Sequence, residues 1–200
     1  MAFEQRGRSG GSRKRSSGFS PSRNNDSDET SDKPAREKKP PTPERLEQRA
    51  RNVLLHQLAR SAKSTQQLRK ILENREIPSE IAERVLERFT EVGLIDDQAY
   101  AETIVNSRRN FKGLSKSAIK RELNEKGVPA QYIETAIESI TAEDDFEAAK
   151  DLAARRIRQM SSLTREVRER RLAGYLGRKG YPSSVVFAAI RFAESQIESA

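Results

Sequence analysis

The chain has 200 residues, of which 34% are hydrophobic and 34% are charged, and it contains no cysteine. These values exclude a disulfide-stabilised scaffold and a thiol nucleophile, and they favour a charge-rich helical protein over an enzyme with a large core. The formal net charge of +8 makes polyanions, nucleic acid above all, the expected class of partner. There is no apolar stretch of about 18 residues, so the sequence predicts no transmembrane helix. Because no apolar segment follows the first arginines as in a secretory signal, we expect a cytoplasmic protein.

Residues 1–43 carry half of the net charge and few apolar side chains. They contain ten basic and six acidic residues and only two aromatic ones. Such a segment cannot bury enough apolar surface to offset the entropy lost on ordering, so we predict a disordered basic tail. Two roles fit its composition: a solubilising segment, or a weak electrostatic tether to nucleic acid or another anion.

From Pro43 onward, apolar residues recur with the helical period of 3.6 residues. In the first unit, residues 44–96, this pattern predicts three helices. The segment from Ser64 to Gln67 is a capping box that begins the second helix. Pro78 lies where the first turn of a third helix tolerates the missing N–H of proline.

Two further units follow the same plan. In the second unit, residues 97–140, Ser115 is the predicted cap of the second helix and Pro129 begins the third helix. The third unit, residues 141–200, begins with a capping box from Thr141 to Asp144.

The third unit is longer than the others between its second cap and its core. About four extra residues separate Thr164 from Leu172, and one additional helical turn would accommodate them. No unit has enough apolar residues to fold robustly alone. We therefore expect stacking between neighbouring units to bury the remaining apolar stripe.

One short sequence motif precedes the third helix in every unit. It occurs at residues 72–78, 123–129 and 176–182, and the offsets are 51 and 53 residues. A period near fifty in a helical sequence indicates an array of similar units. Gly127 and Gly180 are expected to adopt left-handed backbone conformations, and the first unit has a glutamate at that place. The predicted fold is all-α: three tandem three-helix repeats in an elongated, curved array.

The sequence contains no catalytic or metal-binding pattern. The only histidine, His56, has no cysteine or carboxylate at ligand spacing. Acidic pairs such as Asp96 and Asp97 fall at helix starts, where they complement the helix dipole. No nucleophile, base and orienting group occur together. We predict no enzymatic activity, no cofactor and no metal.

Basic side chains are the remaining candidates for function. Between Arg155 and Lys179 there are nine Lys or Arg and two Glu. This excess fits either a solvated helix surface or contact with phosphate or an acidic protein surface. The candidate filament- or DNA-binding residues are Arg108, Arg109, Lys112, Lys116, Lys120, Lys126, Arg155, Arg156, Arg158, Arg171, Arg178 and Lys179. Because few aromatic residues are interleaved with them, we predict no base-stacking platform.

Part of the chain resembles a known family. The matching residues are Gly93 to Asp97, Tyr100, Ala101, Arg108, Gly113, Ile119, Glu122, Leu123 and Lys126 to Val128. They resemble the signature of RecX, the bacterial regulator of the RecA recombinase. The match is densest over residues 93–137, and the three units extend it over residues 44–197.

The resemblance implies an array of three-helix repeats that lies in the groove of the RecA–DNA filament and spans neighbouring protomers; we expect the protein itself to be a monomer. It implies inhibition of strand exchange, ATP hydrolysis and co-protease activity, and so a role in recombination, DNA repair and the SOS response. The inhibition would act by blocking filament extension or by promoting disassembly, with contact to single- or double-stranded DNA. The resemblance supplies no catalytic residue, but Arg108 and Lys126 match charged positions of the signature. The alternative is a general nucleic-acid-binding helical protein not dedicated to a recombinase.

Overall fold

A computed structural model describes residues 42–198, which form nine α-helices and one π-helical turn and contain no strand. The elements are α1 (Pro43–Arg60), α2 (Thr65–Glu73), α3 (Ser79–Glu91), α4 (Asp97–Ser107), the π turn (Arg108–Lys112), α5 (Lys116–Glu125), α6 (Ala130–Ile137), α7 (Ala142–Arg158), α8 (Arg165–Arg178) and α9 (Ser183–Glu198). The prediction of three all-helical repeats is confirmed. Apart from Thr42 and Pro43, which begin α1, the predicted tail lies outside the described residues. None of the described helices is long and apolar enough to span a membrane.

The predicted caps define where the helices begin. Ser64 and Gln67 form the capping box of α2, with both hydrogen bonds 3.2 Å long. Thr141 and Asp144 form the equivalent box at α7. Thr164 is the N-cap of α8 by position, but its hydroxyl accepts no capping hydrogen bond.

The additional turn predicted in the third repeat is present. Helix α8 has 14 residues, whereas α2 has 9 and α5 has 10. In the first two repeats, the cap serines Ser64 and Ser115 lie eight residues before the core leucine near the end of the helix. In the third repeat, the residue eight before the equivalent Leu176 is Arg168. Arg168 forms an ion pair with Glu194, which is 2% exposed; its Nε donates to Oε1 at 3.0 Å.

Each repeat has its own apolar core. The extensive contacts between helices are formed within single repeats, and the buried apolar residues divide into three clusters in the same way. The most buried members are Leu54, Leu68, Leu72 and Leu86 in the first cluster, Ile119, Leu123, Ile133 and Ile137 in the second, and Ile157, Leu172 and Leu176 in the third. Most of the buried apolar surface is therefore enclosed by the helices of its own repeat, and stacking between repeats adds contacts such as the approach of Leu152 to Gly113.

Polar contacts connect consecutive repeats, and the same arrangement occurs twice. We call each one a joint: a cap serine of one repeat hydrogen-bonded to the turn before the last helix of the next. The hydroxyl of Ser64, which caps α2, donates to the carbonyl of Lys126 in the second repeat at 2.5 Å. In the next repeat the hydroxyl of Ser115 donates to the carbonyl of Gly180 at 2.7 Å, and its N–H donates to Lys179 O at 3.0 Å. Both serines are fully buried. Each cap therefore also fixes the turn that precedes the last helix of the following repeat.

Two glycines allow these joints to close. Gly127 has a φ of +71°, and a Cβ there would lie 2.5 Å from Cγ of Gln66 in the first repeat. Gly180 has a φ of +85°, and its Cβ would lie 2.5 Å from Cβ of Ala118. Glu76 occupies the same place in the first repeat with a φ of +59°. No earlier repeat packs on Glu76 in the described part of the chain, so a side chain has room there and only the backbone strain opposes it.

Candidate nucleic-acid interface

The π turn between α4 and α5 carries two of the predicted arginines, and both are engaged inside the fold. Arg108 forms a bidentate pair with Glu122 of α5, with Nε–Oε2 at 2.8 Å and NH2–Oε1 at 2.6 Å. Arg109 forms an ion pair with Asp145 of α7. Each arginine side chain is 18% exposed. The two pairs attach the turn to its own repeat and to the next one.

Three lysines of the second repeat also have internal partners. Lys126 lies 3.7 Å from Glu122, and Lys120 lies 2.6 Å from Glu134. The ammonium of Lys116 donates to the carbonyl of Ile140 at 2.7 Å. Five of the six candidate residues in this repeat, including the two arginines, therefore have a partner inside the protein. The exception is Lys112, whose side chain is exposed.

The pair of Arg108 and Glu122 predicts a pH-dependent contribution to stability. The hydrogen bond from Arg108 lowers the pKa of Glu122, so the pair stabilises the fold above the unfolded carboxyl pKa of about 4.3. We expect Glu122→Gln to lower the free energy of unfolding by on the order of 1 kcal/mol at pH 7. This difference from the parent protein should begin to shrink below about pH 4, where the carboxyl of the unfolded chain becomes protonated, and should be lost as the pH falls through the lowered pKa of the folded state. Urea unfolding at several pH values measures it, and an equal difference at pH 7 and pH 3 would contradict the assignment.

The basic residues of the third repeat are arranged differently, around an open cavity. The cavity has a volume of about 460 Å³ and lies between the end of α7 and one face of α8. Its lining residues are Arg156, Gln159, Met160, Arg170, Arg171, Gly174, Tyr175 and Arg178. We call this site the arginine pocket. It contains three of the predicted candidates and adds Arg170.

Within the described part of the chain, the arginines of the arginine pocket form no ion pairs of their own, although Arg170 also lines a second cavity together with Glu166 and Glu169. No salt bridge among the described residues involves any of the four arginines of the arginine pocket. Arg156 donates to Oε1 of Gln159 at 2.8 Å, and its guanidinium lies 5.6 Å from the ring centroid of Tyr175. Four guanidinium groups around one cavity suit an anion with several oxygens, because each can donate two parallel hydrogen bonds to a phosphate.

Lys179 connects the arginine pocket to the π turn of the second repeat. Its ammonium lies 5.2 Å from the ring centroid of Tyr175 and donates to the carbonyl of Lys112. Burial lowers the pKa of Lys179. The two remaining candidates, Arg155 and Arg158, are exposed on α7 and do not line the pocket.

The described residues offer no alternative metal chemistry. They contain no group of three or more histidine, cysteine, aspartate and glutamate side chains that could hold a metal ion. The only histidine, His56, is an exposed residue of α1.

Comparison with known proteins identifies the three repeats with three family models. Residues 50–89 match "RecX, first three-helix domain", residues 96–137 match the second such domain, and residues 143–190 match the third. A protein named Regulatory protein RecX from Streptomyces coelicolor is 44% identical over 155 residues, which is 78% of this chain and 82% of that protein. Its namesake from Thermobifida fusca is 38% identical over 149 residues, 74% of this chain and 80% of that protein.

Two solved structures share the fold. The crystal structure of RecX from Lactobacillus salivarius has a TM-score of 0.64 at 19% identity, and the match covers 74% of this chain and 97% of that one. A second structure, described as the crystal structure of regulatory protein RecX, has a TM-score of 0.61 at 28% identity. That match covers 72% of this chain and 70% of the other.

Proposed function

The chain belongs to the RecX family, and we propose that it is a cytoplasmic regulator that binds a RecA–DNA filament and inhibits the recombinase. Strand exchange, ATP hydrolysis and co-protease activity would all fall, since each depends on the filament. The observation that carries this proposal is the arginine pocket, where four cations lie together without carboxylate partners. A filament of protein and DNA presents the phosphates and acidic side chains that such a pocket binds.

The joints between repeats support binding over more than one repeat. Each joint combines a buried serine hydrogen bond with a close glycine contact. Lys179 belongs to the third repeat, and its ammonium donates a hydrogen bond to the π turn of the second repeat. The cationic surface therefore continues from the third repeat into the second. We propose that a monomer contacts neighbouring protomers of the filament with this surface.

The proposal is tested by the amount of protein needed to suppress the DNA-dependent ATPase activity of a recombinase. A regulator of the filament should suppress ATP hydrolysis at ratios far too low to coat the DNA. A general nucleic-acid-binding protein would act by competing for DNA, so it should suppress hydrolysis only near coating stoichiometry. Suppression that appears only at coating would therefore overturn the proposal in favour of that alternative.

A further inference from the structure

Phe111 stands out because its side chain is 87% exposed. The other exposed large apolar side chains of the described residues range from 38% for Phe192 to 62% for Phe187. Phe111 lies within the π turn, and single π-helical turns occur frequently at functional sites. A single exposed apolar side chain is common on protein surfaces, so the case for Phe111 depends on the backbone that holds it and on the charges around it.

The turn that carries Phe111 is firmly held on both sides. The residues before it, Arg108 and Arg109, form ion pairs with α5 and α7. After it, the carbonyl of Lys112 accepts the hydrogen bond from Lys179, and the carbonyl of Gly113 accepts one from the Tyr181 hydroxyl at 3.2 Å. Burial raises the pKa of Tyr181 to about 12, so this hydroxyl remains a donor at neutral pH. The backbone on both sides of Phe111 is therefore held in place, and it keeps the ring on the surface.

The surroundings of Phe111 are cationic and continuous with the arginine pocket. Lys112 is the adjacent residue, Lys179 contacts the carbonyl of Lys112, and the same Lys179 lies against the ring of Tyr175 in the pocket. The two carboxylates that contact this turn, Glu122 and Asp145, are both paired with its arginines. A flat apolar ring beside Lys112 and Lys179, neither of which forms a salt bridge among the described residues, matches a nucleic acid, whose bases are flat and whose backbone is anionic.

We propose that Phe111 stacks on a base of single-stranded DNA while Lys112, Lys179 and the arginine pocket bind the flanking phosphates. Single strands are favoured over duplex because their bases are not already stacked on both faces by neighbours in a paired helix. One ring can accept any base, so little sequence preference is expected. This inference rests on the proposed function for the source of the strand, the DNA of the filament. It departs from the sequence-based prediction of no base-stacking platform by assigning one stacking residue to the basic surface.

The chain contains four tyrosines but no tryptophan, so Phe111→Trp introduces a single tryptophan whose fluorescence can be excited selectively. We expect an oligonucleotide of deoxythymidine to quench this fluorescence on binding. Leu94→Trp is the control, because Leu94 is also half exposed but lies at the end of the first repeat, where it lines a cavity with none of the arginine-pocket residues. Phe111→Ala should bind the oligonucleotide about 5- to 150-fold more weakly than the parent protein, the range typical of removing one base–aromatic stack. Its thermal unfolding should match that of the parent, because the ring packs against little of the fold.

An abasic strand of the same length separates stacking from phosphate binding. Such a strand keeps every phosphate, so under the proposal the parent protein should bind it as weakly as Phe111→Ala binds the complete oligonucleotide. Equal binding of abasic and complete strands, or of parent and Phe111→Ala, would overturn the inference. A variant that loses ATPase suppression but keeps oligonucleotide binding would also overturn it, because the ring would then anchor a protein. No recombinase is present in the oligonucleotide measurements, so their failure leaves the ATPase test of the proposed function unaffected.

Discussion

Replacing Gly180, Gly127 or Gly93 with alanine should destabilise the protein, most at Gly180, less at Gly127 and least at Gly93, which lies outside the joints. All three glycines have positive φ, so each alanine carries the strain of a left-handed residue, roughly 1 kcal/mol. At Gly93 a Cβ would meet nothing within 4 Å, so only this strain is expected. At the joints the Cβ would also overlap the neighbouring repeat, and overpacking of this kind typically adds about 1 to 3 kcal/mol.

The atoms that each new Cβ would meet decide the order at the two joints. At Gly127 they are Cβ and Cγ of Gln66, at 2.6 and 2.5 Å; rotation of the side chain relieves the contact with Cγ, whereas Cβ moves only with the backbone of α2. At Gly180 they include Cβ of Ala118 at 2.5 Å, with its Cα at 3.3 Å, so the backbone of α5 has to move. Relief is therefore harder at Gly180.

Chemical unfolding followed by far-UV circular dichroism gives the three free-energy differences. Hydrogen exchange at the Ser115 amide reports on the second joint itself, because this N–H donates to the carbonyl of Lys179. We expect its exchange to accelerate in Gly180→Ala and to stay unchanged in Gly93→Ala. Equal losses of stability in all three variants would show that the repeats do not press on each other at these glycines.

Features that depend on neighbouring residues could be predicted from the sequence. The capping boxes at Ser64 and Thr141 involve residues three apart, and the left-handed glycines follow from the turn that they end. The extra turn of α8 follows from residue spacing alone. For this reason the three helical repeats were predicted with their helices in the correct order.

Features that depend on distant partners could not be predicted in this way. The local sequence around a basic residue is the same whether it faces solvent or a carboxylate, so Arg108 and Lys126 were expected to bind a partner, yet both contact Glu122. Arg170 lies in the pocket because of the rotation of α8 against α7, which no local pattern specifies. The hydrogen bonds from the cap serines to the following repeat could not be predicted, because they depend on which turn lies opposite each serine in the fold.

Charge reversal in the arginine pocket should abolish most of the inhibition of a recombinase filament. The variant Arg156→Glu, Arg171→Glu, Arg178→Glu replaces three cations that have no carboxylate partner among the described residues. Removing the neutralisation of one phosphate of a single strand should reduce the slope of log affinity against log salt by about 0.7, so removing three corresponds to a reduction of about 2. Melting should fall only modestly, because the three side chains are exposed and form no salt bridge among the described residues. Two of the new glutamates lie in the last turns of α7 and α8, where an unfavourable charge typically costs about 0.3 to 1 kcal/mol.

A second triple variant in the first repeat controls for the change in net charge. Arg49, Arg60 and Arg75 are exposed and form no salt bridge among the described residues, and replacing them with glutamate changes the charge by the same amount. If the pocket binds the filament directly, the control should keep inhibition near the parent level and retain the parent salt slope. Equal loss of inhibition in both variants would show that the effect comes from the net charge of the protein and not from the pocket. Full inhibition by a well-folded pocket variant would remove the pocket from the mechanism, since direct binding of an anion cannot survive reversal of three of its four cations.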